Sequence, residues 1–438
     1  MKSVPSYLVA LSGAVIFATA GFLAAGRADL VPARLADDFL ETIGVNIKCP
    51  SWQNHGSVYT DTALVKRRLI ELGVRYYRVN AKDVDTDWDF FRELYSAHGL
   101  RADLLHIEKP FPRFAARLEA DATLAASVEG PNETDPPKLP GWSYQGREFP
   151  AGTIALQRDL YAAVKASPRT RDIPVIVPSV CRENHVGQLA GCPGDLENIH
   201  SYPAGNVPTH GLEHFAALAD LVLTPPRPIV ATETGYSTTL DDPKGGGMSE
   251  RAQAIYLPRL LAEYWNHPRI VRTYLYELLD ERAGPHSLES GFGLLHQDGR
   301  PKPAFVAVKA LIDLLQDGRG SFQPGKLDFQ LARAPNALSH AVLQKRNGDF
   351  YLLLWRDVSV FDRVSRSDVK VPDIVITVRF EASVRRCVVY RYQEDGALIA
   401  SGMAVSNGEI ELPVSDSLLL IRISASTASS ENGRRGLK

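Results

Sequence analysis

The stretch Val128-Glu129-Gly130-Pro131-Asn132-Glu133 decides how this chain is read, together with its counterpart Ile229-Val230-Ala231-Thr232-Glu233-Thr234-Gly235-Tyr236. Each starts as a short apolar run and ends in a carboxylate beside a turn-forming residue. Strands covered on both faces, as in a parallel sheet, read as such near-continuous runs. If the two runs belong to one closed ring of parallel strands, their C-terminal ends share a rim, and both glutamates stand on it.

Working outward, the chain alternates. Residues 42–47 form a first β-rich run, and residues 61–72 carry Leu64, Leu69 and Leu72 at helical spacing before Gly73, a C′ glycine. Strand candidates then recur at 74–79, 102–107, 126–133, 175–180, 197–202, 229–233 and 273–279, with helical segments at 87–98, 114–119, 157–166 and 214–219, a long one opened by Ser249, and an amphipathic one at 303–316. Eight strands within about 280 residues predict an α/β fold, a (β/α)8 TIM barrel over residues 36–317. A doubly wound open sheet uses the same alternation, but no Gly-x-Gly-x-x-Gly follows the first strand. After Asp317-Gly318-Arg319-Gly320 the helical period stops. Short β-rich runs at 341–344, 350–355, 374–380, 384–392, 409–412 and 418–423 are separated by turn signals such as Asn347-Gly348, Asp395-Gly396 and Asn407-Gly408. They predict a C-terminal antiparallel β-sandwich domain over residues 320–424, followed by a Ser-, Gly- and Arg-rich disordered tail, 425–438.

A net charge of −2 on 438 residues, 45% hydrophobic and 23% charged, describes an ordinary folded chain and argues against nucleic acid as a partner. Lys2 precedes an apolar segment, residues 8–25, and small residues follow, so residues 1–28 read as a signal peptide or N-terminal anchor. A secreted or periplasmic location is expected, with membrane anchoring through an uncleaved segment as the alternative. The four cysteines, Cys49, Cys181, Cys192 and Cys387, are too few for a disulfide scaffold, although Cys181 and Cys192 are close enough in sequence to pair. None has metal-ligand spacing, and no cofactor is expected.

Two carboxylates facing each other about 5–5.5 Å apart can break a glycosidic bond with retention, one as acid/base and one as nucleophile. Glu133, three βα units before Glu233, takes the first role and Glu233 the second; Glu133 should then have a raised pKa. Taken singly, Glu133 could be a helix N-cap and Glu233 a buried salt-bridge partner. The competing metal-dependent hydrolases need clustered His and Asp at strand ends, whereas His106 and His200 stand alone.

The wording Glu-x-x-Asn-Glu at 129–133 and apolar-x-Thr-Glu-Thr-Gly at 230–235 resembles the clan A retaining glycoside hydrolases, family 39-like members in particular. The resemblance covers about residues 36–316, including the closing Phe292-Gly293-Leu294-Leu295 and Asp298-Gly299-Arg300-Pro301-Lys302-Pro303. It implies that Asn132 bonds the sugar 2-hydroxyl, that Arg78 supports the nucleophile, and that His200-Ser201-Tyr202 orients nucleophile or sugar. Glu129 becomes a supporting acid low in the site. Pro131 and Thr134 depart from the family pattern, which often has Trp and Pro there. Trp52, Tyr144, Tyr236, Tyr274 and Tyr276 are further aromatic candidates on the rim, and Trp142 and Glu277 are expected to touch substrate. Gly245-Gly246-Gly247 reads as a flexible rim loop. The expectation is an exported retaining glycoside hydrolase acting on an extracellular or cell-envelope poly- or oligosaccharide. A transglycosylase with the same glutamates, or a non-catalytic carbohydrate-binding protein, is the alternative.

Overall fold

A computed structural model describes residues 29–52, 57–81, 85–105, 111–318, 320–335, 338–380 and 384–424. The leader at 1–28, the tail at 425–438 and His106 lie outside the described residues.

Eight strands make one parallel sheet: β1 (Ile43–Asn46), β2 (Tyr76–Asn80), β3 (Arg101–Leu105), β4 (Ala125–Glu129), β5 (Val175–Ile176), β6 (Glu197–His200), β7 (Ile229–Thr234) and β8 (Ile270–Leu275). They run in the order β5-β4-β3-β2-β1-β8-β7-β6, and a parallel bridge between Ile176 and Leu196 closes the ring. This is the (β/α)8 barrel. Every residue of β4 and β7 is buried, as strands covered on both faces must be.

The helices start and stop where the side chains allow. Asp61 caps α1 (Thr62–Leu72) by accepting from the Leu64 N–H, and Gly73 at φ 81° ends it. Ser249 does the same for a long helix, α2 (Glu250–Asn266), accepting from the Ala252 N–H. Pro303 opens α3 (Pro303–Leu315), where its fixed φ fits and a missing N–H costs nothing.

Residues beyond the barrel form two packed sheets. One holds Asp29–Pro32, Lys326–Ala332, Ile374–Phe380 and Glu409–Val414, all antiparallel. The other runs Leu398–Ala404, Arg386–Tyr392, Leu419–Ile423, Phe350–Arg356, Leu338–Gln344 and Arg34–Leu35, with only the last pairing parallel. The sandwich therefore also takes in residues 29–35, so its strands come from both sides of the barrel in sequence. Its core includes Leu352, Leu354, Ile376, Val378, Val389, Leu412 and Ile421.

Barrel and sandwich share a second, continuous core in which Leu353, Trp355, Val360 and Phe361 pack with barrel residues. Polar contacts lock the seam. Arg259 on α2, 1% exposed, donates from Nη1 to the carbonyls of Val358 (3.0 Å) and Asp416 (3.2 Å), and Trp355 Nε1 donates to Glu263. Among the described residues, no helix is long and apolar enough to cross a membrane.

Candidate active site

The C-terminal rim gathers side chains from six strand ends. Arg78 lies in β2, Glu129 ends β4, His200 ends β6, Glu233 lies near the end of β7, and Lys48 and Tyr276 follow β1 and β8. Asn132 and Glu133 sit in the turn after β4. Glu133 adopts φ 46°, the left-handed region that a residue with a β-carbon enters at a cost of about 1–3 kcal/mol. The Glu133 N–H bond to the Ser179 carbonyl (3.1 Å) holds it there.

A carboxylate oxygen of Glu133 and one of Glu233 lie within 4.8 Å of each other, with a nitrogen of His200 within the same distance of both. Both glutamates are 8% exposed. Glu233 is gripped from two sides: Arg78 Nη1 donates to Oε1 (2.7 Å) and the Tyr202 hydroxyl to Oε2 (2.8 Å). Burial alone would push its carboxyl up. The charges of His200, Arg78 and Lys48, and then the Tyr202 bond, overcome this and hold it down to about 2. It is ionised at any physiological pH.

Arg78 is itself fixed. It makes two hydrogen bonds to Glu129, and its Nη1 and Nη2 donate to Asn46 Oδ1 (2.9 Å) and Asn132 Oδ1 (2.8 Å). Asn132 Oδ1 also accepts from Ser179 (2.9 Å), so its amide NH2 is the group it can offer to the cleft it lines.

The hydrogen-bond chain around His200 assigns its protons. Asn198 Nδ2 donates to Glu129 Oε1 (3.0 Å) and to the Val177 carbonyl (3.1 Å), which orients the amide. Asn198 Oδ1 then accepts the only hydroxyl proton of Thr232 (2.6 Å), leaving Thr232 Oγ1 as an acceptor for His200 Nε2–H (3.1 Å). With Nε2 protonated, the Nδ1···Glu133 Oε1 contact of 2.9 Å needs one more proton, held by either partner. Burial disfavours charge on His200, but Glu233 and the Glu133 bond outweigh it and lift the imidazole above its usual value. For Glu133, burial pushes up, the His200 bond and charge pull down, Glu233 pushes up again and Lys138 pulls down; the downward pulls win. The sequence-based expectation of a raised Glu133 is thus corrected for the free site. The Lys138 ammonium, 3.2 Å from this carboxylate, favours its ionised form and so the shared proton on His200.

A register shift between β6 and β7 sets up this chain: Ile199 pairs with Ala231 and His200 with Glu233, so Thr232 is skipped. Such a bulge re-aims neighbouring side chains, here bringing both Thr232 and Glu233 to His200.

The two glutamates open into a cleft of about 560 Å³, lined also by Lys48, Trp52, Lys138, Tyr276, Glu281 and Glu289. Lys48 Nζ lies 3.1 Å from Glu281 and 3.8 Å from Glu277, and donates to the Tyr276 hydroxyl (2.7 Å), which donates on to Glu289 (2.8 Å). Glu277, Glu281 and Glu289 have the spacing to hold a metal ion, as do Glu133, His200 and Glu233. In the first group the Lys48 ammonium is the cation among the carboxylates; in the second a proton bridges His200 and Glu133.

The structure brings together Glu133, Glu233, Asn132, Arg78, His200 and Tyr202. Two expected contacts are placed elsewhere. Glu277 is fully buried behind Lys48, accepting from Tyr59 (2.9 Å), with burial pushing its carboxyl well up. Trp142 is half-buried on the long loop after β4 and is not part of the cleft wall, to which that loop contributes Lys138 and Leu139. Tyr144 binds Asp159, Tyr236 packs on Tyr256 at 5.1 Å, and Tyr274 is buried inside the barrel. Of the rim aromatics, Trp52 and Tyr276 face the cleft. Cys181 and Cys192 are not joined, and the Cys181 thiol instead faces Asp135 at 3.4 Å.

No protein-family model matches the chain, and none of the curated proteins does. Its fold is shared with solved structures. A family 39 glycoside hydrolase from Bacteroides cellulosilyticus WH2 matches with a TM-score of 0.60 at 16% identity, over 90% of this chain and 83% of that one. A glucosidase from Croceicoccus marinus matches at 0.58 and 12% identity, over 91% and 97% of the two chains. A GH30 endoxylanase from Clostridium papyrosolvens C71 matches at 0.53 and 11% identity, over 90% and 97%.

Proposed function

We propose that the protein is an exported retaining glycoside hydrolase that cleaves O-glycosidic bonds of an extracellular or cell-envelope poly- or oligosaccharide by double displacement. One observation carries the reading: Glu133 and Glu233 oppose each other within 4.8 Å, one bonded to a proton-bearing imidazole and the other locked as an anion. Oxygens this close fit carboxyl groups about 5–5.5 Å apart, the spacing for direct attack, better than the spacing of about 6.5–9.5 Å that leaves room for a water. The shared fold with a family 39 hydrolase, a glucosidase and an endoxylanase supports the same reading.

In the first step Glu233 attacks the anomeric carbon while Glu133 delivers a proton to the departing oxygen. Sugar binding brings a neutral oxygen against Glu133, and the shared proton moves from His200 Nδ1 to Glu133 as that oxygen gains negative charge. In the second step Glu133, again ionised, takes a proton from water, which displaces Glu233. Arg78 and Tyr202 stabilise Glu233 both as nucleophile and as leaving group.

The test is a release assay over a panel of polysaccharides and aryl glycosides, with product anomers read by NMR and Glu233→Gln run alongside. Retained configuration and loss of release in the variant are expected. Inverted product, or release surviving in Glu233→Gln, would end this reading.

A further inference from the structure

A second cavity, of about 300 Å³, meets the catalytic cleft at Glu133 and Tyr202, the two residues that line both. Glu233 lines only the larger one. In a displacement by Glu233, the sugar being attacked must lie in the larger cleft. The departing oxygen, opposite Glu233 across the anomeric carbon and protonated by Glu133, brings the leaving group to that carboxyl, which also borders the smaller cavity.

The wall of the smaller cavity is mixed, with apolar side chains in the majority. Pro178, Val180, Val186, Leu189, Phe215 and Val222 are among these, from the segment after β5 and from the helix Leu212–Ala219 and the turn following it. Its polar side chains are already engaged. Ser179 donates to Asn132, Asn198 is used by Glu129, Val177 and Thr232, and both ring nitrogens of His200 are bonded. Tyr202 donates to Glu233, Cys181 faces Asp135, and Glu183 pairs with His214 at the outer edge. A second sugar here would bury hydroxyls with few free partners, a cost of about 1–3 kcal/mol for each one left unsatisfied. The cavity is about twice the 150 Å³ of an engineered apolar cavity that takes up benzene.

We infer that this cavity receives an apolar leaving group, so that the substrate is a saccharide joined through oxygen to an alkyl chain or aromatic ring. The inference rests on the glycosidase reading and narrows it. In the step concerned, the bond from the anomeric carbon to oxygen breaks and its electron pair stays on that oxygen. The proton comes from Glu133, the product is an apolar alcohol or phenol, and a new bond joins the carbon to Glu233. Alkyl alcohols are poor leaving groups, so the proton delivered at the mouth of this cavity is needed for them.

The experiment uses the whole chain and begins with a para-nitrophenyl glycoside panel to find the sugar that is hydrolysed. The methyl and hexyl glycosides of that sugar, and its disaccharide, are then compared by kcat/KM. Hexyl is expected to exceed both methyl and the disaccharide by about tenfold or more, since the added methylenes are buried. Val186→Asp and Phe215→Ser alter half-buried wall positions and should bring the hexyl-to-methyl ratio down to about threefold or less. Circular dichroism and Tm confirm that each variant is folded. Equal rates for hexyl and methyl, a preference for the disaccharide, or a hexyl preference that survives both substitutions would overturn the inference and leave the glycosidase reading standing. No hydrolysis of any glycoside would instead remove the glycosidase reading, and this inference with it.

Discussion

His200 Nδ1 lies 2.9 Å from Glu133 Oε1, and the Thr232–Asn198 chain behind it keeps Nε2 protonated, so the two residues hold one proton between them. In the proposed mechanism that proton is the one delivered to the departing oxygen. Because His200 titrates above its usual value of 6.5, the basic limb of the kcat/KM profile should fall above pH 6.5. In His200→Asn the proton can reside only on Glu133, a carboxyl, and the basic limb should move down by about one pH unit or more. Initial rates between pH 4 and 10 test this; an unmoved limb would mean that His200 does not share the proton.

Glu233→Gln keeps the shape of the side chain and removes its charge. Turnover should drop by about 10⁴-fold or more, because the covalent step is lost, while a sugar that binds wild type should still bind. Stability adds a second readout. The folded carboxyl titrates near 2 against 4.5 in the unfolded chain, so its ionisation stabilises the fold above pH 4.5 and ceases to do so as pH falls through 2. Between those pH values wild type should therefore lose a few kcal/mol more than Glu233→Gln, at about 1.4 kcal/mol for each pH unit that separates the folded from the unfolded titration. Urea unfolding at a series of pH values measures it.

Glu133→Ala should reveal its role through the leaving group. Para-nitrophenolate departs without a proton, so glycosides bearing it should lose much less in the first step than alkyl glycosides do, with a difference of about 10²-fold or more in kcat/KM. Equal losses for both substrates would remove Glu133 from the acid role.

Much of this architecture is readable from local sequence, and the failures share a cause. Parallel strands are short apolar runs, and helix ends carry their own signals, as Asp61, Gly73 and Ser249 do. Glu233 is legible because it lies within a strand, and Glu133 through its wording beside Asn132, although it stands in the turn after β4, where the Ser179 carbonyl holds it. Residues 29–35 are not legible, since they become strands only by pairing with residues some 300 positions later. Leu398–Ala404 escapes notice because most of its side chains are exposed and nothing forces alternation. Lys48, Lys138 and Glu281 reach the cleft along loops and Glu289 from the single 3-10 turn Leu288–Ser290, whose directions follow from packing and not from spacing. The same freedom carries Trp142 away from it. Thr232 joins the His200 chain through a bulge, a one-residue slip with no local signature.

Lys48 offers the sharpest test of how the cleft is held together. Its ammonium lies within 4 Å of Glu277 and Glu281 and touches Tyr276, with Glu289 one hydrogen bond further on. Burial opposes its charge, but these carboxylates outweigh it and raise its pKa. Removing the cation leaves acids crowded in a buried space, and breaking a buried pair from one side costs about 3–5 kcal/mol. Lys48→Met should therefore lower stability by about that amount at pH 7, read as a reduced urea midpoint with an unchanged m-value. The loss should shrink at pH 4.5, where the orphaned carboxyls can take up protons. Adding Glu281→Gln to Lys48→Met should restore part of it by removing the charge 3.1 Å away. If Lys48→Met is as stable as wild type at pH 7, the acids of this wall do not depend on Lys48 for their neutralisation.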